Sequence, residues 1–155
     1  MDALASFGSL MYSAYMNHKA GATDLAALLH AAAAAQDEVE AKLNAIGLSL
    51  AKLAALKVLS EAGESLPLTQ LAERLSCVKS NITQLVDRLE ADGLVRRLAD
   101  PNDRRARLAT LTAAGRKACR EGSRAQEAAE RNLLGKLTPA ESRQLADLLR
   151  KIRGG

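Results

Sequence analysis

The stretch Leu71–Thr112, LAERLSCVKSNITQLVDRLEADGLVRRLADPNDRRARLATLT, decides the fold of this chain. Its first half contains a short helical segment and, after a tight turn, the segment Lys79–Asp92. This second segment carries an apolar stripe at helical spacing, made of Ile82, Leu85, Val86 and Leu89. Gly93 then predicts the end of the helix. The pattern therefore predicts two amphipathic helices joined by a short turn.

The second half of the stretch predicts a β-hairpin with an arginine-rich tip. LVRRLA (94–99) and RLATLT (107–112) alternate as short strands do, and DPND (100–103) between them is rich in turn residues. A basic hairpin that directly follows two such helices predicts a winged helix-turn-helix, which is a DNA-binding fold.

Helical patterns continue on both sides of this unit. Upstream, we expect a short helix over 2–17, a long helix from about Asp24 to Ala45, and a further helix that Ser49 caps. SLPL (65–68) is expected to be an extended connector, because a proline disfavours helix at the residue before it.

Downstream of Thr112, a long helix is expected to about Leu137, and the capping box TPAE (138–141) predicts the start of a last helix. This last helix has an apolar stripe made of Leu145, Leu148, Leu149 and Ile152. The predicted fold class is mainly α with a small β-hairpin wing, a winged helix-turn-helix with long flanking helices. The expected domains are N-terminal helices (1–47), a DNA-binding domain (48–112) and C-terminal helices (113–155).

The composition and the distribution of charge agree with a helical protein that has an anionic partner. Hydrophobic residues make up 48% of the chain and aromatic residues only 2%, so the apolar content is mostly alanine and leucine, which favours helices. Residues 1–78 hold five basic and eight acidic residues, whereas 79–112 hold seven and five, and 113–155 hold ten and five. The basic excess begins at Lys79, and we expect an anionic partner to contact the chain from there on.

Several other classes of protein are not favoured by the sequence. No apolar run approaches the length of a membrane span and the N-terminus lacks the basic start of a signal peptide, so we expect a cytoplasmic protein that does not bind membranes. Cys77 and Cys119 lie far apart, which argues against a disulfide framework or a zinc site. Without paired catalytic groups or a glycine-rich phosphate loop in the sequence, we expect neither an enzyme nor a cofactor.

The outward face of the helix over Lys79–Asp92 predicts DNA recognition. Opposite the apolar stripe lie short polar side chains that can donate to and accept from base edges in the major groove, namely Ser80, Asn81, Thr83 and Gln84. Asp87 shares this face, while Lys79 and Arg88 suit phosphates. An ordinary solvated helix face would look the same in isolation, but the short helix before it and the basic hairpin after it favour DNA.

The hairpin tip offers a second kind of contact. An arginine beside a recognition helix can enter the adjacent minor groove, where the negative potential is enhanced. The candidates are Arg104, Arg105 and Arg107. Asp103 is a poor phosphate binder, but its carboxylate can hold one of these arginines in place through a charge-assisted hydrogen bond.

Taken together, LAERL, VDRLEADGLVRR, DPNDRR and the LT-x-x-G pattern at 111–115 resemble the MarR family of bacterial transcriptional regulators. The similarity covers about residues 48–120. The family carries an Asp-x-Arg motif in its wing, which falls here on Asp103 and Arg105. The resemblance therefore implies that Arg105 is the minor-groove arginine, that Asp103 positions it and that Arg104 occupies a variable position between them.

The resemblance also implies a homodimer that binds a near-palindromic double-stranded DNA operator, with N- and C-terminal helices interlocking between the two copies. The long flanking helices, 1–47 and 113–155, are then expected to be dimerisation helices. One detail departs from the family. Where its members often have a small apolar residue followed by serine before the recognition helix, this chain has Cys77 and Val78. Ser76 or Ser80 is expected to supply the missing cap.

Some members of the family bind aromatic or phenolic acids and others sense oxidants through cysteine. Candidates for contact with a small aromatic or phenolic effector are Tyr12, Tyr15, His18 and His30, which also suit a dimer seam or an ordinary helix surface. Cys77 and Cys119 are interpreted first as small packed or bystander side chains. Alternatively, oxidation of Cys77 in the turn would displace the recognition helix, because Lys79 and the helix N-terminus can lower its pKa.

The sequence thus predicts a sequence-specific, double-stranded-DNA-binding transcriptional regulator, a homodimeric repressor relieved by a small ligand. Two alternatives stay open: a redox-responsive repressor that uses Cys77 or Cys119, and a winged-helix interaction module that does not bind DNA. The arginines of the hairpin argue against the second alternative, because such a module would tend to lose them.

Overall fold

The computed structural model describes residues 24–63, 65–76, 78–100, 107–152 and 154 of the 155-residue chain. The chain divides into two compact units, Met1–Asp37 and Glu38–Gly155. In chain order, the described elements are α1 (Asp24–Asn44), α2 (Leu50–Ala62), β1 (Ser65–Pro67), α3 (Leu68–Arg74), α4 (Lys79–Ala91), β2 (Val95–Ala99), β3 (Arg107–Leu111), α5 (Ala113–Leu134) and α6 (Pro139–Ile152). The predicted fold class, mainly α with a small wing, is confirmed, while the helix expected over 2–17 lies outside the described residues.

The predicted caps of α2 and α6 are confirmed. Ser49 Oγ accepts a hydrogen bond from Lys52 N at 3.3 Å. At α6 the capping box is reciprocal, because Thr138 N donates to Glu141 Oε2 at 2.7 Å and Glu141 N donates to Thr138 Oγ1 at 3.3 Å. The hydrogen bond from the Thr138 backbone, and then that from its side chain, holds the pKa of Glu141 below the ordinary value of a glutamate.

The three strands form one antiparallel sheet in the order β1-β3-β2. The pairing of β2 with β3 is the predicted hairpin, with Val95 opposite Leu111. The segment 65–68, which the sequence predicts to be an extended connector, also takes part in the sheet. Its residues Ser65–Pro67 form the edge strand β1, with Ser65 opposite Thr110. An edge position suits Pro67, which has no N–H to give to a second neighbour. As a result, β3 is the central strand, and the hairpin is joined to the segment that precedes α3.

The side chain of Thr112 links the base of the hairpin to α5. Its Oγ1 accepts from Gly115 N at 2.9 Å, which caps α5, and donates to Gly93 O at 2.8 Å. Its backbone N–H donates to Leu94 O at 3.1 Å. One residue therefore fixes the end of β3, the start of α5 and the end of the α4 turn together.

The core of the unit Glu38–Gly155 is built from leucines of the helices and from the inner residues of the sheet. The largest fully buried side chains are Leu43, Leu53, Leu56, Leu59, Leu71, Ile82, Val86 and Leu89. Three of them form the predicted stripe of α4, whose fourth member, Leu85, is half-buried. Burying each such side chain stabilises the fold by about 1.5–3 kcal/mol. Because this face of α4 is buried, its opposite face is held toward solvent.

Helix α5 approaches α2 closely because residue 122 has no side chain. A Cβ built on Gly122 would lie 2.7 Å from Leu53 Cδ1 and 2.9 Å from Leu48 Cδ1. One turn further along α5, Lys57 Nζ of α2 donates to Gln126 Oε1 at 2.7 Å. The helix that follows the wing is thus fixed to the domain at successive turns.

The end of α5 and the whole of α6 differ from the rest of this unit. Helix α5 ends at Leu134, earlier than the expected Leu137, because Gly135 forms its C-cap. Within the described part of the chain no residue of α6 is buried, and Leu149 and Ile152 of its apolar stripe are 43% and 67% exposed. Among the described helices, none is long and apolar enough to cross a membrane.

Candidate nucleic-acid interface

The polar face that the sequence assigns to DNA recognition is exposed along α4. The exposed side chains are Ser80, Asn81, Thr83, Gln84, Asp87 and Arg88. Lys79 is the first residue of the helix, but its side chain lies outside the described part of the chain. The structure therefore places these six side chains on the accessible face of one helix, as their spacing predicts.

The start of α4 corrects one expectation. The N-cap is Val78 in an extended conformation, and it makes no side-chain capping hydrogen bond. The prediction that Ser76 or Ser80 supplies the cap is wrong, because Ser80 already lies within the first turn and Ser76 adopts a positive φ of 51° in the preceding turn. The cap residue Val78 therefore offers no side-chain acceptor to the N–H groups of the first turn of α4, and a helix N-terminus attracts anions.

The structure describes the base of the wing but not its tip, residues 101–106. Arg107 is exposed at the start of β3 and pairs with Ala99 across the hairpin. Asp103, Arg104 and Arg105 lie outside the described residues, so their roles stay predictions from the sequence and the resemblance.

One arginine that the sequence did not single out joins the wing to the recognition helix. The backbone N–H of Arg97 donates to Glu90 Oε1 at 3.0 Å, and its Nη1 donates to Glu90 Oε2 at 3.0 Å. Its Nη2 lies 2.6 Å from Asp87 Oδ1 and donates to the backbone oxygen of Thr83 at 3.1 Å. Acids at 87 and 90, followed by VRR at the next strand, are the signal that would have identified this contact.

A separate ion pair joins the C-terminal end of α4 to α2. Lys52 Nζ lies 2.7 Å from Asp92 Oδ2, just beyond the last turn of α4. Both side chains are partly exposed, so this pair is worth at most about 1 kcal/mol. Its effect is mainly to hold the end of the recognition helix against the start of α2.

The candidate sensor residues are only partly within the described chain. His30 is exposed on α1, whereas Tyr12, Tyr15, His18 and Cys77 lie outside the described residues. Cys119 is a buried free thiol on α5. Burial raises its pKa above the ordinary value, more than the nearby Lys57 and Arg120 lower it. Among the described residues, no group of His, Cys, Asp and Glu is arranged to hold a metal ion.

A helix-turn-helix with an exposed polar second helix, joined through a shared sheet to a basic hairpin, defines a winged helix-turn-helix regulator. The family model described as MarR family matches residues 48–106. An HTH-type transcriptional repressor of Mycobacterium tuberculosis is 30% identical over 125 residues, which cover 81% of this chain and 89% of that protein. The chain belongs to the MarR family, and it is a DNA-binding transcriptional regulator rather than an enzyme.

Solved structures of the family have the same fold. A cysteine-to-serine mutant of Escherichia coli MarR in complex with operator DNA aligns with a TM-score of 0.73 at 27% identity, covering 83% of this chain and 92% of that chain. A MarR family regulator from Streptomyces coelicolor, also in complex with DNA, aligns with a TM-score of 0.73 at 28% identity, covering 82% of this chain and 81% of that chain. A probable transcriptional regulator from Pseudomonas aeruginosa aligns with a TM-score of 0.74 at 31% identity, covering 84% and 96%.

Proposed function

We propose that this chain is a homodimeric repressor that binds a near-palindromic double-stranded DNA operator and is released by a small ligand. The observation that carries the proposal is the exposed polar face of α4 next to the base of the wing. The relatives support it, since one is named a repressor and another was solved with operator DNA.

In this proposal α4 enters the major groove. Short side chains on its exposed face contact base edges, and they are Ser80, Asn81, Thr83 and Gln84. Arg88 and Lys79 contact phosphates on either side of the groove. A phosphate also takes the place of the missing side-chain cap at Val78, because the helix N-terminus favours an anion there.

The wing would provide the minor-groove contact. Arg105 enters the groove and Asp103 holds its guanidinium, as the family motif implies. Arg104 and Arg107 contact phosphate or solvent, and the exposed position of Arg107 at the start of β3 agrees with this role. The central place of β3 in the sheet supports a wing whose base is rigid.

The flanking helices would form the dimer, with the boundaries 1–47 and 113–155 as the proposed dimerisation segments. Helix α6 exposes Leu148, Leu149 and Ile152 within a single chain. Exposed apolar residues in a row along one helix face need a partner surface, and a second copy supplies one in a symmetric interface. Two recognition helices would then contact half-sites about one helical turn apart.

The release step is proposed to use an aromatic or phenolic effector held near Tyr12, Tyr15, His18 and His30. These residues combine aromatic surface with hydrogen-bonding groups, which suits such a ligand. The redox alternative is less favoured at Cys119, because burial raises the pKa of that thiol and lowers its reactivity. For Cys77 the redox alternative rests on the sequence alone.

A gel-shift experiment tests the proposal. The full chain is titrated against DNA from upstream of its own gene and against a scrambled fragment of the same length, at several salt concentrations. We expect selective binding to the upstream fragment and weaker binding as salt rises, because phosphate contacts release counterions. Equal affinity for both fragments would refute sequence-specific regulation. If binding is selective, adding aromatic acids to the complex tests whether a small ligand releases the DNA.

A further inference from the structure

The acidic edge of the recognition helix faces the wing. Asp87 and Glu90 lie one turn apart on α4, and Asp87 belongs to the exposed face assigned to DNA, with a side chain that is 55% exposed. A carboxylate on that face repels the phosphate backbone over the separation of a docked complex. A recognition helix with this composition therefore needs a compensating positive charge.

Arg97 provides that charge from the neighbouring strand. Its guanidinium contacts both carboxylates, at 2.6 Å from Asp87 Oδ1 and 3.0 Å from Glu90 Oε2. The Arg97 side chain is 24% exposed, since its donors are directed into α4 and not toward solvent. The guanidinium of Arg97 therefore binds groups of α4, whereas an arginine that binds phosphate extends into solvent.

The same contacts fix the position of the wing. Arg97 is held through its main chain as well as its side chain, because its backbone N–H and Nη1 bind the two oxygens of Glu90. The Nη2 contacts with Thr83 and Asp87 extend the attachment over two further turns of α4. Because β2 is bound to α4 through both the main chain and the side chain of Arg97, it cannot rotate about its own axis relative to the helix without breaking several charge-assisted hydrogen bonds.

We propose that Arg97 is a positioning residue for DNA binding, which holds the wing against α4 and neutralises the acidic edge of that helix without contacting DNA. This inference rests on the proposed function, because it concerns the geometry and charge of the surface that would bind the operator. It assigns to Arg97 a role that acts through Asp87 and Glu90.

A double-mutant cycle separates this role from direct DNA contact. Arg97→Ala is measured in the unmodified chain and in an Asp87→Asn, Glu90→Gln background, with operator affinity as the readout. We expect a loss of about tenfold or more in the unmodified chain and less than about threefold in the neutral background. An equal loss in both backgrounds would show a direct phosphate contact, and no loss in either would show no role; each result overturns the proposal.

Two further measurements complete the test. Arg143→Ala removes the same charge on the exposed face of α6 opposite its apolar stripe, and so away from the proposed dimer contact. Arg143 Nε donates only within α6, to Pro139 O of the preceding turn, and the variant should leave affinity within about twofold. Hydrogen exchange of the free protein provides a readout that does not involve DNA. Arg97→Ala should speed exchange in β2, whereas Arg143→Ala should not, and unchanged exchange would overturn the positioning role. If Arg97→Ala speeds exchange in β2 but the unmodified chain binds no operator, Arg97 does attach the wing to α4 and it is the proposed function that is refuted.

Discussion

The main-chain oxygen of Leu94 occupies the space that a side chain at Gly115 would need. A Cβ built on Gly115 would overlap that oxygen, and the Leu111 side chain lies 3.2 Å away on another side. Leu94 begins the hairpin and Gly115 lies in the first turn of α5, so the close approach sets the angle at which α5 leaves the wing. Backbone cannot move aside as a flexible side chain can, which makes this site intolerant of any side chain.

Gly115→Ala should therefore destabilise the fold by about 2 kcal/mol or more, because it overpacks a backbone contact. The free energy of unfolding from urea titration measures this. Ala114→Gly, on the exposed side of the same turn, serves as the control and should cost no more than about 1 kcal/mol. Equal losses for the two variants would contradict the close approach.

The apolar spacing of α4 predicted its buried face correctly, because Ile82, Val86 and Leu89 meet the core at helical spacing whatever the rest of the chain does. The capping box at Thr138 was equally predictable, since its two partners are only three residues apart. Local patterns of this kind need no knowledge of the tertiary structure.

Non-local contacts were missed for a physical reason. The strand β1 has three residues, too few to show alternation, and its partner β3 lies more than forty residues later in the chain. Arg97 likewise looked like one more basic residue of the hairpin, because its carboxylate partners lie on a different element. The sequence does not predict the start of α4 at Val78, because a valine side chain has no hydrogen-bond acceptor that would mark it as a cap.

Thr112→Val should destabilise the chain by about 1–2 kcal/mol, because the change removes the cap of α5 and the hydrogen bond to Gly93 O. Thr112→Ser keeps the hydroxyl and should retain most of the stability. Thermal unfolding of the two variants checks this. A valine variant as stable as the serine variant would show that the hydroxyl has no structural role.

Leu149→Glu should convert the proposed dimer to a monomer, because a charge would be placed within the exposed apolar stripe of α6. Molar mass by light scattering should fall by half, and operator affinity should fall with it. Gln144→Glu adds the same acid to α6 outside the stripe and should stay dimeric. A monomeric unmodified chain would refute the dimer itself.

Arg105→Ala should weaken operator binding by at least about 1 kcal/mol, on the scale of a single base-level contact. Arg105→Lys, which keeps the charge but not the planar fork, should recover only part of this loss. Titration of labelled operator measures all three chains. Unchanged affinity in the alanine variant would remove the assignment of Arg105 to the minor groove.

In a Cys77→Ala background, Cys119 should react slowly with iodoacetamide at neutral pH, because its pKa is raised by burial and the thiolate is the reactive form. The rate should increase as the pH rises and should increase greatly in urea, where the thiol is exposed. Equal rates for the folded and unfolded chain would restore Cys119 as a candidate redox sensor.

The pairing of β1 with β3 has a consequence for protein engineering. Ser65 and Thr110 face each other across the sheet, so the recognition helix and the wing are enclosed within a loop of chain whose two ends meet. Such a loop is a natural cassette for exchange between relatives. If a chimera takes the whole segment 65–112 from a relative, β1, β3 and the Thr112 hydrogen bonds to Gly93 and Leu94 all come from the same donor. If the junction lies within 65–112, β1 and β3 come from different proteins and their pairing is at risk. Donor specificity could then be transferred with an unchanged pair of flanking helices.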